Sequence, residues 1–305
     1  MHQTKLARRT FLTAAAAAPL AAATSVKAAA PMLGAAVTPF NRFRVGAFEV
    51  TTLLVDSRTV EGPQQIFGMN VSPEEFAEVS AAANLPTDKA KFFFTPTLVN
   101  TGSELVLFDT GLNGAGMAAA VTAAGYAPDQ IDVVVITHMH PDHIGGLMTD
   151  GSPTFTNARY ITGRVEFDTW AKAGNEGFEA LMRPLGDQTT MLEGGQDVVS
   201  GITSVPAFGH TPGHMTYMIE SDGQQLLIAA DFANHYVWSL AHPDWEVKFD
   251  MDKAAAAATR RSLLDMMAAD KVPFVGYHMP WPGVGYVLAH GNSYVYVPES
   301  YQLQL

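Results

Sequence analysis

The chain has 305 residues, with a formal net charge of −12 and no cysteine. Zero cysteines exclude disulfides and thiolate ligands, so any metal must be held by His, Asp or Glu. The acidic balance disfavours nucleic acid and anionic lipid surfaces as partners, and 48% hydrophobic residues suffice for one large core.

The N-terminal stretch "MHQTKLARRTFLTAAAAAPLAAATSVKAAAP" has a basic start, an Ala-rich apolar middle and small residues at its end. That is a signal-peptide pattern. Arg8 and Arg9, followed by Thr10, Phe11 and Leu12, resemble a twin-arginine export signal. Val26-Lys27-Ala28 offers a cleavage site, so residues 1–28 are expected to be removed and the mature chain to be periplasmic or secreted. Removal would take away Lys5, Arg8, Arg9 and Lys27 and shift the net charge from −12 to −16. No 18-residue apolar stretch follows, so no membrane span is expected after removal of the signal. Residues 29–46 read as an arm, and its apolar part, Pro31–Phe43, would suit a homodimer.

From there the elements alternate. "AFEVTTLLVD" (Ala47–Asp56) reads as a strand, and Ser72-Pro73-Glu74-Glu75 starts a short helix. "KFFFTPTLVNTG" and "SELVLFDTG" read as two strands joined at Thr101-Gly102. "GAGMAAAVTAAGY" is a helix stopped by Gly125. The apolar run Asp132–Ile136 is a buried strand, "ARYITG" is another, and "RVEFDTWAKAG" is helical. "GITSVPAFGHTPGH" is a strand and turn, and a hairpin turns at Asp222-Gly223. "DMDKAAAAATRRSLLDMMAADK" is the strongest helix, "VPFVGYHMP" a buried strand, and "GYVLAHGNSYVYVP" a closing hairpin. Strands in both halves, interleaved with helices, predict two sheets with helices outside, in one domain running 47–305.

The chemistry concentrates in "THMHPDHIGG". His138, His140, Asp142 and His143 follow a buried strand, and four N/O donors so close together suit first-row metals. His138 and His140, two apart on extended chain, share a side, while Asp142 and His143 follow the turn at Pro141. A closed structural site needs four ligands and no more, so further donors at strand ends matter. His210 opens "HTPGH", Asp231 follows "QQLLIAA", and His278 follows "VPFVGY".

These motifs, H-x-H-x-D-H with "GHTPGH", "AAD" and "GYHMP" in order, resemble the metallo-β-lactamase superfamily across about Ala47 to Pro298. The resemblance implies an α/β fold, a four-layer αβ/βα sandwich with the site at one edge of two facing sheets. It implies that His138, His140 and His210 bind one metal, that Asp142, His143 and His278 bind a second, and that Asp231 bridges them. It places Asp109, in "LFDTG", behind the ligands as a support. More narrowly, "LVNTGSELVLFDTG", "ITHMHPDHIGGLM" and "PWPGVGYV" resemble the methyl parathion hydrolase branch, near the N-acyl-homoserine lactonases. That implies a hydrolase acting on a lactone, carboxyl ester or phosphotriester. A hydroxide held between two divalent ions, zinc first and Mn, Fe or Co also admitted, would be nucleophilic because the ions lower the pKa of bound water from about 16 towards 7. Asp142 or Asp231 would carry the proton to the leaving group.

Around this centre His214 reads as a support or as part of the turn, and Trp170 matches a pocket position in that branch. Phe93, Phe94, His235, Tyr236 and Trp281 are candidates for the wall of a small-molecule pocket, against the ordinary expectation that aromatics are core. Three rivals stand: a mononuclear iron persulfide-type dioxygenase, a β-lactam hydrolase, and a non-catalytic metal-binding protein. The first would leave Asp142 and His143 without a metal.

Overall fold

The computed structural model describes residues 30–34 and 36–300. The expected export signal lies outside the described residues. Described residues before Thr38 carry no helix or strand, and the compact unit that holds every element begins at Thr38.

The first half of that unit comprises β1 (Phe40–Val45), β2 (Phe48–Leu53), β3 (Asp56–Glu61), α1 (Pro73–Ala82), β4 (Lys89–Phe94), β5 (Thr97–Asn100), β6 (Leu105–Phe108), α2 (Gly114–Ala123), β7 (Val133–Ile136), α3 (Pro141–Ile144), the short pair β8 (Met148–Thr149) and β9 (Ser152–Pro153), β10 (Arg159–Gly163), α4 (Arg164–Ala173), α5 (Glu176–Leu181) and β11 (Thr189–Leu192). The second half comprises β12 (Asp197–Val199), β13 (Ile202–Pro206), β14 (Met215–Ser221), β15 (Gln224–Ala230), α6 (Lys253–Asp270), β16 (Phe274–Gly276), β17 (Val284–His290) and β18 (Ser293–Pro298).

Each half builds its own sheet. One has the order β1-β2-β5-β6-β7-β10-β11 and the other β12 through β18 in sequence. Val45, Val99, Val133 and Val135 of the first sheet meet Ile202, Ile219, Ile228 and Val275 of the second in one core. The outer face of the first sheet is covered by α2, α4 and α5 through residues such as Met117, Phe167 and Phe178. The outer face of the second is covered by α6 through Leu263, Leu264 and Met267. This is the expected αβ/βα sandwich.

Parallel pairing is what brings chemistry to one edge. β6 and β7 run parallel in the first sheet, and β15 and β16 run parallel in the second. Their carboxyl ends deliver Asp109, His138, Asp231 and His278 to the same rim, where open α/β sheets bind ligands.

Two expectations need correction. Residues 40–45 are not arm but strand, paired along their length with β2. Phe43 and Val45 alternate with the exposed Arg42 and Arg44 and pack towards the inter-sheet core, a half-buried pattern that the interposed arginines conceal. The "KFFFTPTLVN" run is two strands, not one. It breaks at Thr95-Pro96, because Pro cannot donate to a ladder. Residues Lys89–Phe94 then pair with β3 in a separate two-stranded sheet, outside both large ones.

Leu107 is fully buried on β6 against the α2 side of the core. Leu107→Ala is expected to lower stability by about 2–5 kcal/mol, read as a lower urea midpoint with unchanged m.

Candidate metal centre

β7 ends at Ile136, the chain bends at Thr137, and His138 to His140 lead into the single turn of α3, where Pro141 stands in the first turn. His140 is the residue that caps it, and Asp142 and His143 ride on it. Gly145 and Gly146 follow because the turn has no space for a side chain: a Cβ on Gly146 would lie 2.0 Å from the Thr110 carbonyl oxygen, and one on Gly145 would lie 2.5 Å from that of Leu112.

All seven expected ligands meet here. His138, His140, His210 and Asp231 form one group of donor atoms, and Asp142, His143 and His278 a second, each within 4.8 Å. In the first, His140 Nδ1 is 3.1 Å from His138 Nε2 and 3.0 Å from His210 Nε2. Those gaps approach the edge, about 3.3 Å, of a tetrahedron built on Zn–N bonds of about 2.0–2.1 Å. Asp231 lies between the groups: Oδ1 is 3.4 Å from His143 Nε2, while Oδ2 is 3.4 Å from His210 Nε2 and 3.3 Å from His278 Nε2.

The back of each ring fixes what its front presents. His143 Nδ1 donates to Asp109 Oδ2 at 2.8 Å, and His278 Nδ1 to the Phe93 carbonyl at 2.8 Å. His210 Nδ1 donates to Asp250 Oδ1 at 2.9 Å. Thr137 Oγ1 gives its single proton to the Asp109 carboxylate, so at 3.1 Å it accepts from His138 Nδ1. Four imidazoles therefore turn their Nε2 atoms inward. His143 Nε2 and Asp231 Oδ1 are buried there without a hydrogen-bond partner. Imidazole nitrogens converging on a carboxylate, with one buried oxygen that no donor reaches, fit divalent cations.

The electrostatics agree. Burial works against a charged Asp231, yet His278 and His143 hold its carboxyl well below the usual range. Burial likewise opposes charge on Asp142, but His143 and His278 bring it down to about 2. Conversely, burial is outweighed at His278, where Asp231 and Asp142 lift the imidazole to about 10. His140, pressed down to about 3 by burial and by His210, is held neutral. Two retained carboxylate charges thus draw positive charge into the space between the groups.

Backbone geometry aims the acids. Asp109 has φ 60° and Ala230, just before Asp231, has φ 46°. Both are conformations that L residues adopt at a cost, and both sit at the site. His214 supports Asp231: its Nε2 accepts from the Asp231 N–H at 3.1 Å, and its Nδ1 donates to the Ala207 carbonyl at 3.2 Å.

Two apolar cavities adjoin the centre. One, about 290 Å³, opens on His140, Asp142, Asp231 and His278 and is walled by Phe92, Phe94 and other apolar side chains. The other, about 420 Å³, lies on the opposite side of β4 and contains Phe93, His235 and Tyr236. Alternation along the strand sends Phe93 away from its neighbours, so Phe93 meets the centre only through its carbonyl. His235 caps the turn that follows it, its Nδ1 accepting from Val237 and Trp238 N–H at 3.1 and 3.2 Å. Trp170 stands edge-on to His140 with ring centroids 5.9 Å apart. Trp170 and Trp281, both expected in the pocket wall, line neither cavity.

Sequence reading missed Asp250 and Arg260. Arg260 is fully buried on α6 and binds Asp250 Oδ2 at 2.7 Å, the Phe232 carbonyl at 2.9 Å and the Pro243 carbonyl at 2.7 Å. An arginine in a polar-patterned helix reads as solvent-facing, and only packing reveals otherwise. Phe92, one residue from a named candidate, carried the alternation signal that would have found it.

A two-sheet α/β sandwich with paired His/Asp groups at its rim defines a class of dinuclear-type centres. The metallo-beta-lactamase superfamily model matches residues 95–278, and the chain belongs to that family. Among relatives, it is 31% identical to an N-acyl homoserine lactonase of Bacillus thuringiensis over 98 residues, 32% of this chain and 36% of that protein. It is 28% identical to the N-acyl homoserine lactonase AttM of Agrobacterium fabrum over 145 residues, 44% of this chain and 51% of that one. The match therefore spans about a third to a half of the length of these relatives. Among solved structures, AidC, a dizinc quorum-quenching lactonase, superposes with a TM-score of 0.78 at 24% identity, covering 86% of this chain and 98% of that one. The hydrolase AbOPH gives 0.81 at 22%, covering 88% and 99%.

Asp109→Asn keeps the shape of the side chain but sets an amide N–H against donors it now receives, from Thr137 and His143. Chelator competition is expected to show affinity at the Asp142–His143–His278 group falling about 10- to 100-fold, and the other group weakened by a smaller factor, because Asp109 reaches it only through Thr137 and His138.

Proposed function

We propose that this protein is a dinuclear metal-dependent hydrolase that opens a lactone or related ester bearing an apolar arm. The observation that carries the reading is the pair of donor groups, joined by Asp231, opening directly onto an apolar cavity of about 290 Å³. The lactonase relatives and the dizinc lactonase structure support the substrate class.

Two divalent ions, zinc first, held by the seven ligands would supply a nucleophilic water at neutral pH and a Lewis acid for the substrate oxygen. The chain's own residues do the rest. Asp231, touching both groups, sets their separation. Phe92 and Phe94 exclude water and hold the apolar arm. Asp142 has a side chain 22% exposed, against 3% for Asp231, and it lines the cavity. It is the carboxylate placed to pass a proton to the departing oxygen.

We also propose export, supported by Arg8-Arg9 and the apolar stretch behind them. Fractionation of the native host would find the protein in the periplasm, and Arg8→Lys with Arg9→Lys would retain it inside; cytoplasmic residence of the unaltered chain would end that proposal.

Elemental analysis of the purified chain is expected to give about two ions, with hydrolysis of an N-acyl homoserine lactone exceeding that of an aryl ester or a phosphotriester. Asp231→Ala should cut kcat/KM more than about 100-fold, because several kcal/mol of charge stabilisation depend on the ions. A single iron per chain with no hydrolysis would overturn the reading in favour of an iron oxygenase.

A further inference from the structure

Glu166 stands in the first turn of α4 and is completely buried, with no cation beside it. Its carboxylate instead receives four hydrogen bonds. Oε1 accepts from the Met139 N–H at 2.9 Å and from the Trp170 indole N–H at 2.7 Å. Oε2 accepts from the Thr211 hydroxyl at 2.7 Å and from the Gly213 N–H at 2.9 Å. Burial pushes the Glu166 carboxyl upward, and these four donors pull against that.

The donors are not scattered. Met139 lies between His138 and His140. Thr211 and Gly213 lie in the turn that begins at His210. Trp170 is the residue whose ring stands edge-on to His140. Every histidine of the first group thus hangs from a segment tied to this one carboxylate. The second group is held less directly: Asp142 and His143 lie beyond Pro141 on α3, and His278 stands on a segment that none of the four bonds touches. The approach is close as well: a Cβ on Gly213 would lie 2.1 Å from the Glu166 nitrogen, so the turn is seated directly on the start of α4.

We propose that Glu166 is a positioning residue that pre-forms the His138–His140–His210 group selectively, setting its metal affinity without touching a metal. A carboxylate suits the post because it offers acceptors alone, and all four partners are donors. Glutamine in its place would turn an NH₂ group towards two of them. The same carboxylate fixes the Trp170 ring, so the wall beside His140 is set by the group that holds His140 in place.

The proposal rests on the two-ion reading of the site, and the test separates the two. Full-length protein is loaded with zinc and titrated with a chelator, with ions per chain, far-UV circular dichroism and Tm recorded. If the unaltered chain holds no ions, the functional reading fails first. If it holds two, Glu166→Gln is placed in two backgrounds. With His278→Ala, where the remaining tight ion sits in the first group, Glu166→Gln is expected to weaken zinc binding 10- to 100-fold. With His210→Ala, where the remaining ion sits in the second group, it is expected to change affinity less than about twofold. Equal weakening in both backgrounds, or none in either, overturns the proposal. Thr211→Val removes one donor while keeping the shape, and guards against a Glu166→Gln chain that does not fold. It should weaken the first group alone and by a smaller factor, and a Thr211→Val chain that binds both ions as tightly as the unaltered protein would count against the proposal.

Discussion

The constraint from which this structure follows is the cost of holding bare acceptors away from water. Buried polar atoms without partners are destabilising, and here inward lone pairs and two carboxylates are packed into a space where His143 Nε2 and Asp231 Oδ1 have none. Attraction between the carboxylates and the imidazoles offsets part of that cost, and the rest falls to the hold exerted on the ligands from behind. The two sheets supply the first part of that hold. Short parallel strands from separate halves of the chain end at one rim, and their rigid, dry cores leave the emerging residues little freedom.

The second part differs from ligand to ligand. Asp109 holds His143 directly and His138 through Thr137. Asp250 holds His210 and is itself held by Arg260 from α6. A main-chain oxygen of β4 holds His278, and His214 holds the backbone of Asp231. Breaking the buried Asp250–Arg260 pair on one side would leave the other charge stranded, which is costlier than the pair is favourable. Two of the outer helices, α4 through Glu166 and α6 through Arg260, therefore reach the residues around the centre, although neither carries a ligand.

Much of this was legible in the sequence. The ligands were, because each is a His or Asp placed directly after an apolar run, and a strand end is a place that local pattern can locate. Asp109 was, through the motif that contains it. The supporting layer was not. Asp250 sits in an irregular segment and Arg260 in an Ala-rich helix, and a charged residue there carries no local mark of burial. The first strand was hidden because Arg42 and Arg44 break an otherwise apolar run. The pocket was half legible: aromatic residues in "KFFF" were noticed, but which of them faces the centre depends on a break at Thr95-Pro96 that detaches β4 from the main sheet.

That detachment divides the labour of one strand. The β3–β4 pair belongs to neither large sheet, and it holds His278 through the carbonyl of Phe93, which any residue would provide. That bond is indifferent to the side chain at position 93, whereas Phe92 and Phe94 press edge-on against the His278 ring. Support of a ligand and shape of the cavity are thereby assigned to different atoms of the same strand: the main chain of β4 holds His278, while its alternate side chains form the wall that faces the ligands.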